Sequence, residues 1–446
     1  MMQLRLSLAV VVLAGCSAGA PGSPSASATP GPMATFATTS TPTAVWTPTT
    51  RPPPPTDSNP QTLPPPPPGV TLEPLPSPTA TSASTSAWRK VQEFEPPPSI
   101  QITSVTVGGP GFVAVGWADV LLQEGGCFGS FQDGRVLLST DGQQWTTLGT
   151  DTFAYSRLDY VVESADDLYV LGSVSAIGVG IEETPGACGQ PPENIGFNVW
   201  RSSDDGASWE QLAQSAEMQN ALVTDIISMD GELVAIGLLD QPRSALSAVW
   251  TSPDGIDWRM SDTPRTTLPM SSNNLATNGN VLVAAGNEDP SPFAYSEDGG
   301  RTWHEASVDI ETATLHWSVA ARDGRFVAVG GVERPSDDYE MNVLTSEDGK
   351  TWTEASTLQL GSSLMNMLIA LPGHFLGFGS EFAVETNGVS YTGARAWVSV
   401  DGIDWLPAPA PPPDGLVTDV APGPNGVVAA TWAREALWFT PLSTFE

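Results

Sequence analysis

Beyond residue 87 the sequence predicts an all-β fold of stacked four-stranded units, and three observations lead there. A motif of Ser, Asp, Gly and Trp returns six times; short runs of Val, Leu, Phe and Ala bounded by Gly, Asn or Asp precede its copies; and no stretch has helical periodicity. A four-stranded unit cannot bury both of its faces alone. Stacking seven of them about an axis gives a seven-bladed β-propeller, here preceded by a stalk rich in Pro, Thr and Ser.

Taken in order, residues 1–15 read as an export signal: Arg5 is the lone charge, Leu6 to Leu13 is an apolar run, and Leu13-Ala14-Gly15-Cys16 closes it. The run is too short to span a membrane. Its closing tetrad resembles a bacterial lipobox, which implies cleavage before Cys16 and acylation of the Cys16 sulfur and new amino group. Several acyl chains on one residue anchor a protein stably, because each buried methylene contributes about 0.8 kcal/mol. The membrane is thus an expected partner through the lipid anchor, and the expected location is the outer face of a bacterial membrane, at the cell surface or in the periplasm.

Residues 16–87 hold Pro, Thr, Ser, Ala and Gly, with runs at Pro52–Pro55 and Pro64–Pro68 and only Arg51, Asp57 and Glu73 charged. No core can form from this composition, so a disordered stalk is expected. Extended polyproline II at about 3.1 Å per residue would give it a reach on the order of 200 Å.

Residues 88–446 are the repeat domain. The motif takes an eight-residue form at Ser202, Asp204, Gly206, Trp209 and at Ser296, Asp298, Gly300, Trp303. It is one residue shorter at Ser139, Asp141, Gly142, Trp145; at Ser252, Asp254, Gly255, Trp258; at Ser346, Asp348, Gly349, Trp352; and at Ser399, Asp401, Gly402, Trp405. These are the parts of a hairpin corner: Ser and Asp serve the turn backbone, Gly supplies positive φ, and Trp packs the start of the next strand. The motif resembles the Asp-box, or BNR, repeat of sialidase-like β-propellers, and the resemblance implies a structural role away from the ligand site.

Second strands of successive units are read at Phe112–Gly116, Leu168–Gly172, Leu233–Gly237, Val281–Gly286, Phe326–Gly330, Phe375–Gly379 and Val427–Ala430. At the C-terminus, Ala436-Leu437-Trp438-Phe439-Thr440-Pro441 repeats Ala248-Val249-Trp250-Thr251-Ser252-Pro253, but the chain stops before a closing Trp. Ala87-Trp88-Arg89-Lys90 matches the missing outer strand, so the seventh blade is expected to be assembled from both termini. Sialidases have six blades, and this chain departs from them in that count.

The connection from second to third strand is long in unit one (Ala118 to Arg135), unit two (Ser173 to Phe197) and unit six (Ser380 to Ala394), and these are read as loops gathered on one face. The first two hold Cys127 and Cys188. Outside the cytoplasm such a pair is expected to form a disulfide; the rival metal reading lacks ligands, since His304, His316 and His374 fall in other units and no C-x-x-C or H-E-x-x-H spacing occurs. No metal and no cofactor are expected.

Arg5 and Arg51 offset Asp57 and Glu73, so the whole net charge of −33 belongs to the repeat domain. That excludes nucleic acid, whose phosphates need a basic surface. Two function classes remain. One is a monomeric binding or scaffolding propeller with a protein or glycan ligand, since the repeats also look like those of sortilin-type receptors and photosystem II assembly factors. The other is a glycoside hydrolase of the exo-sialidase type or one resembling the Asp-box xyloglucanases. A sialidase implies an Arg cluster and a Tyr nucleophile with a Glu partner. Arg157, Arg243, Arg334 and Arg395 are the arginines available near the loop face, and Tyr339-Glu340 are adjacent but point to opposite sides of a strand.

Overall fold

The computed structural model describes residues 87–94, 100–124, 127–148, 151–174, 181–182, 196–239, 246–262, 275–286, 291–309, 314–332, 339–361, 363–385, 388–411, 415–432 and 436–445. Cys16, the rest of residues 1–86, and Cys188 lie outside them. Among the described residues the strands form seven sheets, each one blade of a β-propeller.

Blade 1 runs Ile100–Gly108, Gly111–Glu124, Cys127–Ser139, Thr146–Thr147, and blade 2 runs Ser156–Ser164, Asp167–Val174, Gly196–Ser202, Glu210–Gln211. Blade 3 is Ala221–Met229, Glu232–Leu239, Leu246–Ser252, Arg259–Met260, and blade 4 is Leu275–Thr277, Leu282–Ala285, Phe293–Ser296, His304–Glu305. Blade 5 comprises Thr314–Arg322, Arg325–Val332, Tyr339–Ser346, Thr351–Gly361, and blade 6 comprises Ser363–Leu371, His374–Glu385, Gly388–Ser399, Leu406–Ala408. Blade 7 has Val417–Gly423, Gly426–Thr431 and Ala436–Thr440, and takes Arg89–Glu93 as its outer strand.

Second strands read as unbroken apolar runs because both of their faces are buried between neighbouring blades. In blade 3, Leu233 and Ala235 pack with Tyr169 and Leu171 of blade 2, while Val234 and Ile236 pack with Leu282 and Ala284 of blade 4. Every inner strand but the short one of blade 4 also slips register once, at Ile102/Ser104, Leu158/Tyr160, Val223/Asp225, Leu315/Ser318, Met365/Met367 and Val417/Asp419. The bulge drives a carbonyl into the second strand. A Cβ on Gly116 or Gly379 would come within 1.9 Å of the carbonyl oxygen of Gln101 or Leu364, which explains why second strands end in glycine.

Ring closure follows the expectation. Arg89 pairs with Phe439 and Lys90 with Trp438, antiparallel, and Thr440 donates its hydroxyl to the Ala87 carbonyl at 3.2 Å. Trp88 is buried at 3% exposure and meets Phe378 of blade 6 at 5.9 Å. Trp352 of blade 5 stacks on Phe293 of blade 4 in the same sense, at 4.2 Å. Each of these Trp residues packs one blade onto the preceding one.

Two features depart from the sequence reading. Residues 118–135 and 380–394 are not loops: their strands stay paired to Glu124–Cys127 and Glu385–Gly388, so the insertions are long hairpins. The sequence carries hairpin signals there that the loop reading passed over, Gly125-Gly126 in one and the Asn387-Gly388 dipeptide in the other. Two sheets also gain a segment. Ser307–Asp309 runs parallel beside the outer strand of blade 5, and Ile181–Glu182 from the blade 2 connection pairs with Cys127 and Phe128 at the tip of the blade 1 hairpin.

Candidate functional site

The six Ser-Asp-Gly-Trp turns share one geometry, and it is internal. The Ser hydroxyl oxygen accepts from the turn Gly N–H at 2.8 to 2.9 Å in every copy, from Ser139 to Ser399. The following Asp carboxylate accepts from N–H groups two to four residues on, as Asp141 does from Gln143 and Gln144 at 2.8 and 2.9 Å. The Trp indole then donates back to the Gly carbonyl, at 2.8 Å for Trp258 and 3.1 Å for Trp145. Asp141 and Asp204 are held below the ordinary carboxylate range by these donors. In Asp254, Asp298, Asp348 and Asp401 burial pushes upward, but the turn donors outweigh it and the pKa again falls. Their hydrogen-bonding capacity is spent within the turn, which makes the motif a fastener.

A second repeated device lines the central channel, and its residues escaped the sequence reading. In blades 1, 2, 3, 5 and 7 the residue after the inner-strand bulge reaches toward the next blade. Asp419 of blade 7 accepts from Val420 N at 2.7 Å and, across the seam, from Val105 N of blade 1 at 2.8 Å. Asp225 does the same from Ile226 N and from Leu275 N of blade 4, at 2.8 and 2.7 Å. Ser104 and Ser318 accept from Val161 N and Leu368 N at 3.3 and 3.0 Å, and the Tyr160 hydroxyl donates to the Thr224 carbonyl at 2.7 Å. Inner strands are edges whose outward N–H groups would otherwise face the channel, so these side chains latch one blade to the next. The sequence signal was present: Ser104, Tyr160, Asp225, Ser318 and Asp419 each stand twelve residues before the small residue ending the second strand, namely Gly116, Gly172, Gly237, Gly330 and Thr431.

Four of them, Ser104, Tyr160, Asp225 and Asp419, line a cavity of about 380 Å³. Burial pushes the Asp419 carboxyl up to about 6 against the pull of the Val105, Ser104 and Val420 donors. Burial likewise raises Asp159, which Arg157 counters. Tyr160 is pushed well above its ordinary value by burial and by the negative charges of Asp225, Asp159 and Asp419. A hydroxyl that donates to a backbone carbonyl and is surrounded by carboxylates is a poor nucleophile.

The arginines named for carboxylate binding are engaged as well. Arg157 Nε lies 2.7 Å from Asp159, with its guanidinium over the Trp117 ring, and Arg395 is hydrogen-bonded to Glu381. They are not brought together, and Arg243 and Arg334 lie outside the described residues. The Tyr339 backbone pairs with Gly361 and that of Glu340 with Gln359 on one strand. Among the described residues no cluster of three or more His, Cys, Asp or Glu stands where it could hold a metal ion.

What remains open is the face opposite the Ser-Asp turns, where second strands pass to third. In blade 7 this connection is short, the ladder ending at the Thr431–Ala436 pair. In its neighbour blade 6 the ladder runs six residues past the equivalent Gly379, and in blade 1, on the other side, eight past Gly116. At about 3.3 Å per residue the two hairpins stand roughly 20 and 26 Å above the ring. Beside the short blade 7 connection Trp432 is 53% exposed. Trp432 N donates to the Leu416 carbonyl at 2.9 Å, and the adjoining Gly415 carbonyl accepts from the Tyr391 hydroxyl of the blade 6 hairpin at 3.0 Å. The Tyr391 ring meets Phe382 at 6.4 Å. The blade 6 hairpin is thus tied to the segment that leads into blade 7.

No family model matches the sequence, and no curated protein matches it. Solved structures do. YCF48 bound to the D1 peptide aligns at TM-score 0.49 and 14% identity over 80% of this chain and 98% of that one. The β-propeller domain of the Trilobed protease from Pyrococcus furiosus, described as having an open velcro topology, aligns at 0.45 and 10% over 77% and 95%. Trypanosoma rangeli sialidase in complex with sialic acid aligns at 0.35 and 17% over 77% of this chain and 54% of that one, so the chain spans about half of the sialidase's length. These likenesses concern the fold alone. They place sialidase-like and YCF48 propellers among its structural neighbours.

Proposed function

We propose that this protein is a lipid-anchored binding or scaffolding propeller, held to the outer face of a bacterial membrane by acylated Cys16, that presents its hairpin-bearing face to a protein or glycan ligand. The observation that carries the binding reading is the pair of hairpins flanking blade 7. Ladders continued that far past the ring are not needed to complete a blade, so they are read as added surface for recognition. The neighbours in fold are of both ligand kinds, one bound to a peptide and one to sialic acid, and do not choose between them. Hydrolysis is disfavoured because the channel carboxylates and Tyr160 are occupied as latches. The anchor rests on Leu13-Ala14-Gly15-Cys16 and the apolar run before it.

The test is a pull-down and glycan-array screen with the full chain, beside a variant in which Phe382–Thr392 is replaced by an Asn-Gly turn. Ligands kept by the full chain and lost by the short-hairpin variant support the reading. Capture undiminished by the trimming, or no capture at all, would sink it. For the anchor, Cys16→Ser should move the protein from salt-washed membranes to the soluble fraction, and retention on the membrane would count against acylation.

A further inference from the structure

We infer that the seam between blades 7 and 1, where the two ends of the repeat domain meet, is a pH-dependent latch: it is tight while the Asp419 carboxyl carries a proton and loosens when that group ionises. This goes beyond the binding reading above and does not rest on it.

The first reason is the placing of the acid. The seams from blade 1 to blade 2 and from blade 5 to blade 6 are latched by the hydroxyls of Ser104 and Ser318, and that from blade 2 to blade 3 by the Tyr160 hydroxyl. Between blades 7 and 1 the latch is a carboxylate. Asp419 Oδ2 accepts from Val105 N, 314 residues away in sequence, at 2.8 Å, and Oδ1 accepts from Val420 N at 2.7 Å.

The second reason is what faces it. Glu163, Asp225 and Asp419 all line the cavity of about 380 Å³, and no lysine, arginine or histidine stands among its lining residues. The strands packed against that of Asp419 supply no counter-charge either. Ile100–Gly108 of blade 1, Gly426–Thr431 of blade 7 and Ser363–Leu371 of blade 6 hold no ionisable side chain. The second strand of blade 1 carries Asp119 and Glu124 only beyond Gly116, and on blade 2 Arg157 is paired with Asp159. An ionised Asp419 therefore meets charges of its own sign and no free cation among the described residues.

Three donors favour the ionised form, namely Val105 N, Val420 N and the Ser104 hydroxyl, yet burial outweighs them and the carboxyl rises from 3.8 to about 6. Opening the seam lets the group reach water and regain its ordinary value. The closed seam thus binds the proton more tightly, so its advantage is full below pH 3.8 and is lost as pH rises through 6. The apolar contacts across the same seam, Val105 and Phe112 with Ala421 and Val428, do not titrate. The seam therefore loosens rather than unfolds. Ser104 carries the change one blade further, because the hydroxyl that donates to Asp419 also accepts from Val161 N of blade 2 at 3.3 Å.

The test is amide hydrogen exchange of the full chain between pH 4 and 7, corrected for the intrinsic pH dependence of exchange and read by mass spectrometry. Peptides from Ile100–Gly108 and Val417–Gly423 report the seam. Ser363–Leu371, latched to blade 5 by Ser318, is the internal control, since a serine does not titrate. Opening of the two seam strands should rise with pH by up to about fiftyfold relative to the control. Asp419→Asn should abolish that rise, and so should Asp419→Ser, which installs the latch residue of blades 1 and 5. If neither variant folds, the contrast between seam and control in the wild type decides alone. A rise of equal size in all three strands, no rise at the seam, or a rise that survives in a folded variant would each overturn the inference.

Discussion

At the scale of single residues, the turn side chains and the seam side chains have different hydrogen-bonding partners, and their contributions are separable by experiment. Trp258 is 4% exposed, closes its turn on Gly255, and packs with Leu212, Met218 and Trp250. Trp258→Ala should therefore cost about 3 to 5 kcal/mol, since it leaves a cavity that the rigid blade cannot close. Thermal or denaturant unfolding reads this directly, and a loss under about 1 kcal/mol would mean that the indole packs nothing.

Acid titration tests the carboxylates in opposite directions. The turn Asp residues have depressed folded pKa values, so their contribution is present above the ordinary carboxylate pKa and is lost as pH falls through the folded values. Asp419 is the reverse: raised from 3.8 to about 6, it contributes stability below pH 3.8 that is lost as pH rises through 6. Asp419→Asn keeps a neutral acceptor at the seam. Between pH 4 and 7 the stability of the wild type relative to this variant should fall, by at most about 3 kcal/mol. Parallel melting curves of the two proteins would contradict the raised pKa.

At the scale of elements, the same hairpin unit serves two purposes that differ only in length. Where it stops at the ring it is a blade; where it continues, in blades 1 and 6, it adds a hairpin beyond the ring. The blade 1 hairpin is braced at its tip, because Ile181–Glu182 pairs with Cys127 and Phe128. That pairing brings the connection carrying Cys188, six residues past Glu182, to the strand that begins with Cys127. We propose a disulfide between them, as the sequence analysis expects. Cys127→Ser should leave the melting of the ring nearly unchanged but make residues 175–195 more susceptible to limited proteolysis under oxidising conditions. Equal digestion of oxidised wild type and variant would show that no bridge pins the connection.

At the scale of the whole molecule, stability rests on closure. The last three strands of blade 7 come from the C-terminus and the fourth from Arg89–Glu93, so one short segment joins the ends of the ring. The bonds at this seam are local and specific: Trp88 donates its indole N–H to the Pro409 carbonyl at 2.6 Å, and Lys90 covers Trp438. Deleting residues 87–93 should expose the edge of Ala436–Thr440, lower domain stability and promote edge-to-edge aggregation, whereas a truncation ending at Ser84 should do neither. Light scattering and melting of the two truncations decide the point; equal behaviour would remove the termini from the closure.

The fold class, the seven blades and even the split seventh blade were legible in the sequence, because each rests on local chemistry repeated along the chain. A turn that needs Ser, Asp, Gly and Trp at fixed offsets writes those letters wherever it occurs, and Ala87-Trp88-Arg89-Lys90 copies an outer strand clearly enough to be matched to its missing place. The candidate site was not legible in this way. Residues 118–135 and 380–394 read as loops because strands that leave the ring lose the buried, unbroken apolar pattern by which the other strands are recognised. Asp225 and Asp419 looked like any of 50 acidic residues until the bulges turned them toward the next blade. Local backbone preference sets what each blade is, and it acts between near neighbours in sequence. Only ring closure decides which blades stand side by side, and with them which side chains meet across a seam.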